Sequence, residues 1–216
     1  GHDSVMTTEG ELPGRRHIVL GPNLLLRHPL RLGADAILYN LEQAMPGSKW
    51  FQPELVDLYR RHTVWDYSAQ NAAGLAALGV QVARVVPVGY VKELTRIRRA
   101  PQPDIDVLFI GTVNPRRKEI LDRMSAAGLR VAAAFGVYGA QRDALIGRAS
   151  LMLNMHYYES RVLEIVRISY LLANGCAVLS ERGADPSEDE ALAGGVAFAG
   201  LVGLPRGARE VLPAPR

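Results

Sequence analysis

Residues 106–111 read DVLFIG, residues 112–119 read TVNPRRKE, and the same half of the chain closes over residues 156–181 with HYYESRVLEIVRISYLLANGCAVLSE. The unbroken apolar run ending at Gly111 has the character of a strand buried on both faces. The polar turn after it must enter a helix near Arg116. A strand that passes directly into a helix is the repeating unit of a parallel α/β sheet. The closing segment repeats the pattern: a strand exit dense in polar groups, a helix, then an apolar run ending in a carboxylate. Two strand ends facing one crevice are suited to a phosphorylated ligand.

The same rhythm extends outward in both directions. Strand-like runs occur at 17–21, 36–42, 63–68, 83–90, 106–112, 130–136, 150–157, 176–181 and 195–199. Between most of them lie helix-forming segments: PELVDLYRRH, SAQNAAGLAALG, RRKEILDRMSAAG, AQRDALIGRA and RVLEIVRISYLLANG. Ser68 is placed to cap the second of these, Gly79 and Gly128 to follow the ends of the second and third, and Gly175 to end a long helix running from about Arg161 to Asn174. The reading is an α/β chain with two Rossmann-like parallel-sheet domains, the N-terminal one incomplete. Residues 1–14 read as a flexible lead or tag, 15–92 as a partial N-terminal domain and 93–104, polar and basic with two prolines, as a solvated linker. Residues 105–205 read as the second domain and 206–216 as a tail without a clear closing helix.

Composition narrows the class. With 216 residues, 48% of them hydrophobic, the chain has enough apolar material for a sizeable core. Its 25 basic and 22 acidic residues are too balanced for a generic nucleic-acid binder. The single cysteine, Cys176, argues against a disulfide framework or thiolate metal site and for a reducing, cytoplasmic location. No apolar run approaches the roughly 18 residues of a membrane span.

Three strand exits carry the chemistry. After Gly111, the backbone N–H groups of a helix start and the guanidinium groups of Arg116 and Arg117 would converge on an anion such as a diphosphate. Arg116, Arg117 and Lys118 read equally well as a solvated helix face. The segment FGVYG, residues 135–139, offers close backbone approach and an aromatic surface for a base, or simply a glycine turn. At the third exit stand Asn154, His156, Tyr157, Tyr158, Glu159, Glu164 and Arg167. Glu164 and Arg167 also suit a plain pair across one helical turn, and His156 a satisfied core histidine. No dinucleotide fingerprint or phosphate-binding loop of the G-x-x-x-x-G-K type occurs.

The ordered set of strand–Gly111–Thr112, the arginine pair, FGVYG, NMHYYE and the helix closing on ANGCAVLSE resembles the donor-binding half of GT-B fold glycosyltransferases, most closely bacterial family-1-type proteins of capsule and surface-sugar loci. The earlier motifs LYNLEQ, VWDYSAQN and VPVGY are similar to the later part of their N-terminal domain. The resemblance covers about residues 17 to 200. It implies transfer of a sugar from a nucleoside-diphosphate sugar to an acceptor hydroxyl. By position, Gly111, Thr112, Asn114, Arg116 and Arg117 would face the diphosphate, and Val137, Tyr138 and Gly139 the base. His156, Tyr158, Glu159 and Glu164 would then lie toward sugar and ribose, with Arg167 also on the donor side. For an inverting reaction His156, Glu42 or Asp66 would act as base, the last two by lining a cleft between domains; Asp66 reads equally well as a cap of the next helix and Glu42 as the start of a solvated loop. The implied reaction uses no metal and no cofactor beyond the co-substrate.

Two departures accompany the resemblance. Where many retaining members carry a second glutamate five positions before the glycine of the turn, this chain has Tyr170, and Glu159 and Glu164 lie five apart. The N-terminal half is also short, which points to an acceptor site that is reduced or supplied by a partner chain or second copy. The alternative is a non-catalytic or partner-dependent nucleotide-binding module. An NAD-binding enzyme and a nucleic-acid role through RIRRA, residues 96–100, rank lower.

Overall fold

The computed structural model describes residues 3–8, 12–44, 50–159 and 161–212. Of the expected lead over residues 1–14, positions 1, 2 and 9–11 lie outside these, as do positions 213–216 of the expected tail. The chain divides at Val88/Gly89 into two compact units, and each carries its own all-parallel sheet.

In unit 1 the strands β1 (Ile18–Leu20), β2 (Ile37–Asn40), β3 (Thr63–Asp66) and β4 (Val82–Val85) lie side by side in chain order. Helix α1 (Pro53–Arg60) joins β2 to β3, and α2 (Ala69–Ala77) joins β3 to β4. Right-handed crossovers that all advance in one direction must all lie on one face of the sheet. Accordingly Leu55, Val56 and Tyr59 of α1 and Leu75 of α2 pack in one cluster with Leu38 and Val64. Alternation sends the neighbouring strand residues to the other face, where Leu20, Tyr39, Trp65 and Arg84 form one row across the four strands. Ser68 caps α2 as expected, its side chain accepting from Asn71 N.

Unit 2 holds β5 (Ile105–Ile110), β6 (Val131–Ala134), β7 (Ala149–Asn154), β8 (Ala177–Glu181) and β9 (Val196–Ala199), ordered β6-β5-β7-β8-β9. The connections are α3 (Pro115–Ala126), α4 (Gly139–Arg148), α5 (Ile165–Ala173) and α6 (Pro186–Leu192), with α7 (Leu204–Val211) closing the chain. Because β6 lies on one side of β5 and β7 on the other, the winding reverses there, and helices cover both faces. Leu108, Met152 and Val178 pack with Ile146 of α4 and with Ile168 and Leu171 of α5. Val107, Phe109, Leu151 and Leu153 pack with Ile120 and Met124 of α3 and Leu204 and Ala208 of α7.

Each expected strand run overlaps a strand, but three expectations need correction. The tail forms α7, whose Leu204 and Ala208 are buried on the sheet. Helix α5 begins at Ile165, not Arg161, because Arg161 sits in the left-handed region at φ 48° and its carbonyl accepts from Ala184 N at 3.0 Å. The stretch expected as a solvated linker is pinned to unit 2. Asn174 Oδ1 accepts from both Arg96 N and Ile97 N at 2.8 Å, and Arg99 donates to the carbonyls of Ile146 and Ala149. A Cβ on Gly147 would stand 2.6 Å from the Arg98 carbonyl oxygen, so only glycine allows this approach.

Candidate functional site

In an open α/β sheet, ligands bind outside the carboxyl ends of the strands where the winding reverses. In unit 2 that place lies between β5 and β7. Gly111 leaves β5 at φ 155°, a conformation that favours glycine, and a Cβ there would meet Phe109 Cζ at 3.2 Å. Asn114 then caps α3, its Oδ1 accepting from Arg117 N at 2.9 Å, and Pro115 occupies the first helical turn, where a missing N–H costs nothing.

The two arginines part company at this helix start. Arg117, expected to be exposed, is only 2% exposed. Its Nη1 donates to the Thr112 carbonyl at 2.7 Å and its Nη2 to the Met155 carbonyl, and the guanidinium lies 5.0 Å from the Phe109 ring centroid and 5.2 Å from that of Tyr157. Burial, opposed by Glu164, lowers its pKa to about 10, so it remains charged at neutral pH. Its Nε is buried without a hydrogen-bond partner among the described residues. Arg116 forms a bidentate pair with the buried Glu181 and donates to the His156 carbonyl at 3.1 Å. The pair therefore clamps β5, β7 and β8 together at their carboxyl ends, where diphosphate contacts had been expected.

His156 is buried beside this clamp. Its backbone N–H donates to Glu181 Oε2 at 3.1 Å, and its Nε2 donates to the Glu181 carbonyl at 3.2 Å. Nδ1 stands 3.0 Å from Glu164 Oε2, an ion-pair distance without hydrogen-bond alignment. Burial by itself would push the imidazole pKa down, but Glu164, with Glu181 behind it, raises it above its ordinary value. Burial would likewise raise the Glu164 carboxyl. His156, Arg167 and Asn154 reverse this and hold it low. Asn154 ties the group together by donating to Glu164 Oε2 and Ser180 Oγ, both at 3.0 Å, while accepting from Arg167 Nη1 at 2.8 Å.

Half-buried Arg167 has no carboxylate in ion-pair range among the described residues. Tyr158 and Glu159 stand exposed on the loop after β7, and Tyr157 and Tyr158 meet edge to face at 4.9 Å. Tyr138 and Phe135 stand exposed at the end of β6, with half-buried Val137 between them. Tyr138 is the N-cap of α4 but makes no side-chain cap bond there, and no atom lies within 4 Å of a Cβ built on Gly139. Tyr170 is enclosed by its hydrogen bond to Asp143 and by Arg142, 4.3 Å from its ring.

The unit 1 candidates occupy the equivalent edge of their own sheet. Asp66, expected to line a cleft, is fully buried: Asn40 Nδ2 donates to its Oδ2 at 2.7 Å and Ser68 N to its Oδ1 at 2.8 Å. Half-buried Glu42 accepts from Asn23 Nδ2 at 3.1 Å through Oε1, and its carbonyl accepts from Asn40 and Asn71. The sequence marked Glu181 only as the end of an apolar run and gave no role to it or to Ser180, Asn40, Tyr59 and Asn71. Their common signal is a polar residue closing or facing the end of an apolar strand.

No protein-family model matches the chain. Over 154 residues, 67% of the chain, it is 27% identical to uncharacterized protein L140 of Acanthamoeba polyphaga mimivirus, covering 47% of that protein. Over 79 residues it is 32% identical to uncharacterized protein L138 of the same virus, which takes in 36% of the chain and 9% of L138. The chain thus spans about half, or less, of the curated relatives it matches. Among solved structures, the crystal structure of PH0766 from Pyrococcus horikoshii OT3 covers 88% of this chain and 56% of its own at 13% identity, with a TM-score of 0.31. Among the described residues, no helix is long and apolar enough to cross a membrane.

Proposed function

We propose that unit 2 binds a nucleoside-diphosphate sugar over the carboxyl ends of β5 and β7, and that the protein transfers the sugar to an acceptor hydroxyl without a metal, as in GT-B glycosyltransferases. The observation that carries this reading is the position of Arg167. A guanidinium with no carboxylate in ion-pair range among the described residues, oriented by Asn154 at the end of β7, stands beside the winding reversal that favours ligand binding. In this reading Arg167 stabilises the charge that grows on the departing diphosphate, and Tyr138 supports the base. The bond from the anomeric carbon to the diphosphate breaks as the acceptor oxygen bonds to that carbon, and the acceptor proton passes to exposed Glu159. His156 and Glu164 act as positioning residues.

A second reading, a nucleotide-binding module without turnover, draws on the internal engagement of Arg116 and Arg117. Calorimetry with UDP, GDP, dTDP, CMP and NAD separates these possibilities. Saturable binding of one nucleoside diphosphate, lost in Arg167→Ala and followed by sugar transfer from the matching donor, is the expected result. Binding without any transfer or donor hydrolysis favours the module, and binding of NAD alone removes both.

A further inference from the structure

Between residues 15 and 34 the chain has four arginines, two histidines and no Asp or Glu, although the whole sequence is nearly balanced. Beyond β1 the same window carries three exposed leucines. Leu24 and Leu26 on the 3-10 turn Pro22–Leu26 are 55% and 42% exposed, and Leu30 on the following loop is 43% exposed. Leu25, Leu26, Pro29, Leu30, Leu32 and Leu58 line a groove of about 360 Å³ against α1, whose rim carries Arg61, His62 and Glu54. Arg27, Arg31 and Arg61 are exposed and have no ion pair among the described residues. Nearby Arg60 is paired with Asp57.

Exposed leucines alternating along the chain with arginines that have no ion pair among the described residues match an interface where hydrocarbon lies beneath fixed negative charge. Scattered single leucines would need no explanation, but here they share one short segment with four arginines and no acidic residue. We propose that the turn and loop over residues 22–32, with Arg61 of unit 1, form a peripheral docking surface for an anionic membrane, Leu24, Leu26 and Leu30 entering the acyl boundary while Arg27, Arg31 and Arg61 meet the headgroup phosphates. Glu54 is the opposing charge on the rim and sets a limit to the attraction. The surface requires no membrane-crossing helix and is independent of the nucleotide reading of unit 2.

Sedimentation of the full chain with vesicles tests this. Vesicles containing phosphatidylglycerol should retain the protein and pure phosphatidylcholine vesicles should not, with retention falling as salt is raised. Leu26→Ser with Leu30→Ser should abolish retention at unchanged net charge. Arg27→Ser with Arg31→Ser should weaken it by roughly 25-fold, about five-fold per arginine. Circular dichroism checks that the variants fold. Equal retention on both vesicle types, retention unchanged by the leucine pair, or a self-associated protein that Leu30→Ser returns to monomer would overturn the proposal, the last by assigning the patch to a second copy.

Discussion

Each sheet ends in a buried polar layer built on a similar step, an asparagine closing one strand in register with a polar residue at or one short of the end of the next. In unit 1 the step is Asn40 next to Asp66, and in unit 2 it is Asn154 next to Ser180. The surroundings then diverge. Around Asn40 the partners are the Tyr59 hydroxyl, the Asp66 carboxyl and the backbone of residue 42. Around Asn154 they are Glu164 and Arg167, with His156, Arg117, Arg116 and Glu181 beyond. A layer of amides and one carboxyl fixes strand ends and little else. A layer with two carboxylates, three guanidinium groups and a histidine holds a field that a charged ligand can use, at the cost of burying those charges.

The largest effect that would break the comparison is expected at Arg117. Arg117→Ala leaves the Thr112 and Met155 carbonyls unpaired and opens a cavity beside Phe109, so urea unfolding followed through unit 2 should show a loss of about 3 kcal/mol. A loss within about 0.5 kcal/mol, as expected of a surface site, would mean that the charged layer is not structural. In unit 1, Tyr59→Phe removes one neutral hydrogen bond to Asn40 and should cost about 1 kcal/mol on the same measurement. A cost as large as that of Arg117→Ala would erase the distinction between the layers.

The subtlest contrast is in pH. Glu164 is held below its ordinary value of 4.5, so its stabilising contribution is full above that value and is lost as pH falls through the lowered folded value. His156 is raised above 6.5, so its contribution is full below 6.5 and is lost as pH rises through the raised value. Asp66 is raised above 3.8, chiefly by burial, so it favours folding most when protonated and loses that contribution as pH rises through its folded value. On acidification, amide protection relative to the intrinsic exchange rate should therefore fall in unit 2 before unit 1. The reverse order would show that the charged layer does not govern the stability of unit 2.

The strands were legible because continuous apolar runs broken by glycine admit few other readings, and Ser68 marked its helix start by chemistry that acts within three residues. Arg117 was not legible. Its burial depends on the carbonyl of Met155, 38 positions away, and on two aromatic rings, while the local triplet of basic residues reads as a solvated face. Glu181 was visible as the end of an apolar run, yet its role comes from Arg116, 65 positions earlier. The late start of α5 was hidden for a similar reason, since the left-handed Arg161 is fixed by a bond from Ala184 rather than by its own neighbours. Arg167 and Glu164 were found, but Asn154, not their spacing along the helix, joins them.

The pinned stretch before β5 also bears on where the chain can be cut. Thr95 Oγ1 donates to the Ala173 carbonyl, and the next two backbone N–H groups converge on Asn174, so the last turn of α5 is closed by residues far upstream of the sheet it covers. A fragment for separate expression that starts at Ile105, where the apolar pattern suggests the fold begins, would strip the end of that helix and bare the close approach at Gly147. One that starts at Lys92 would carry its own clasp.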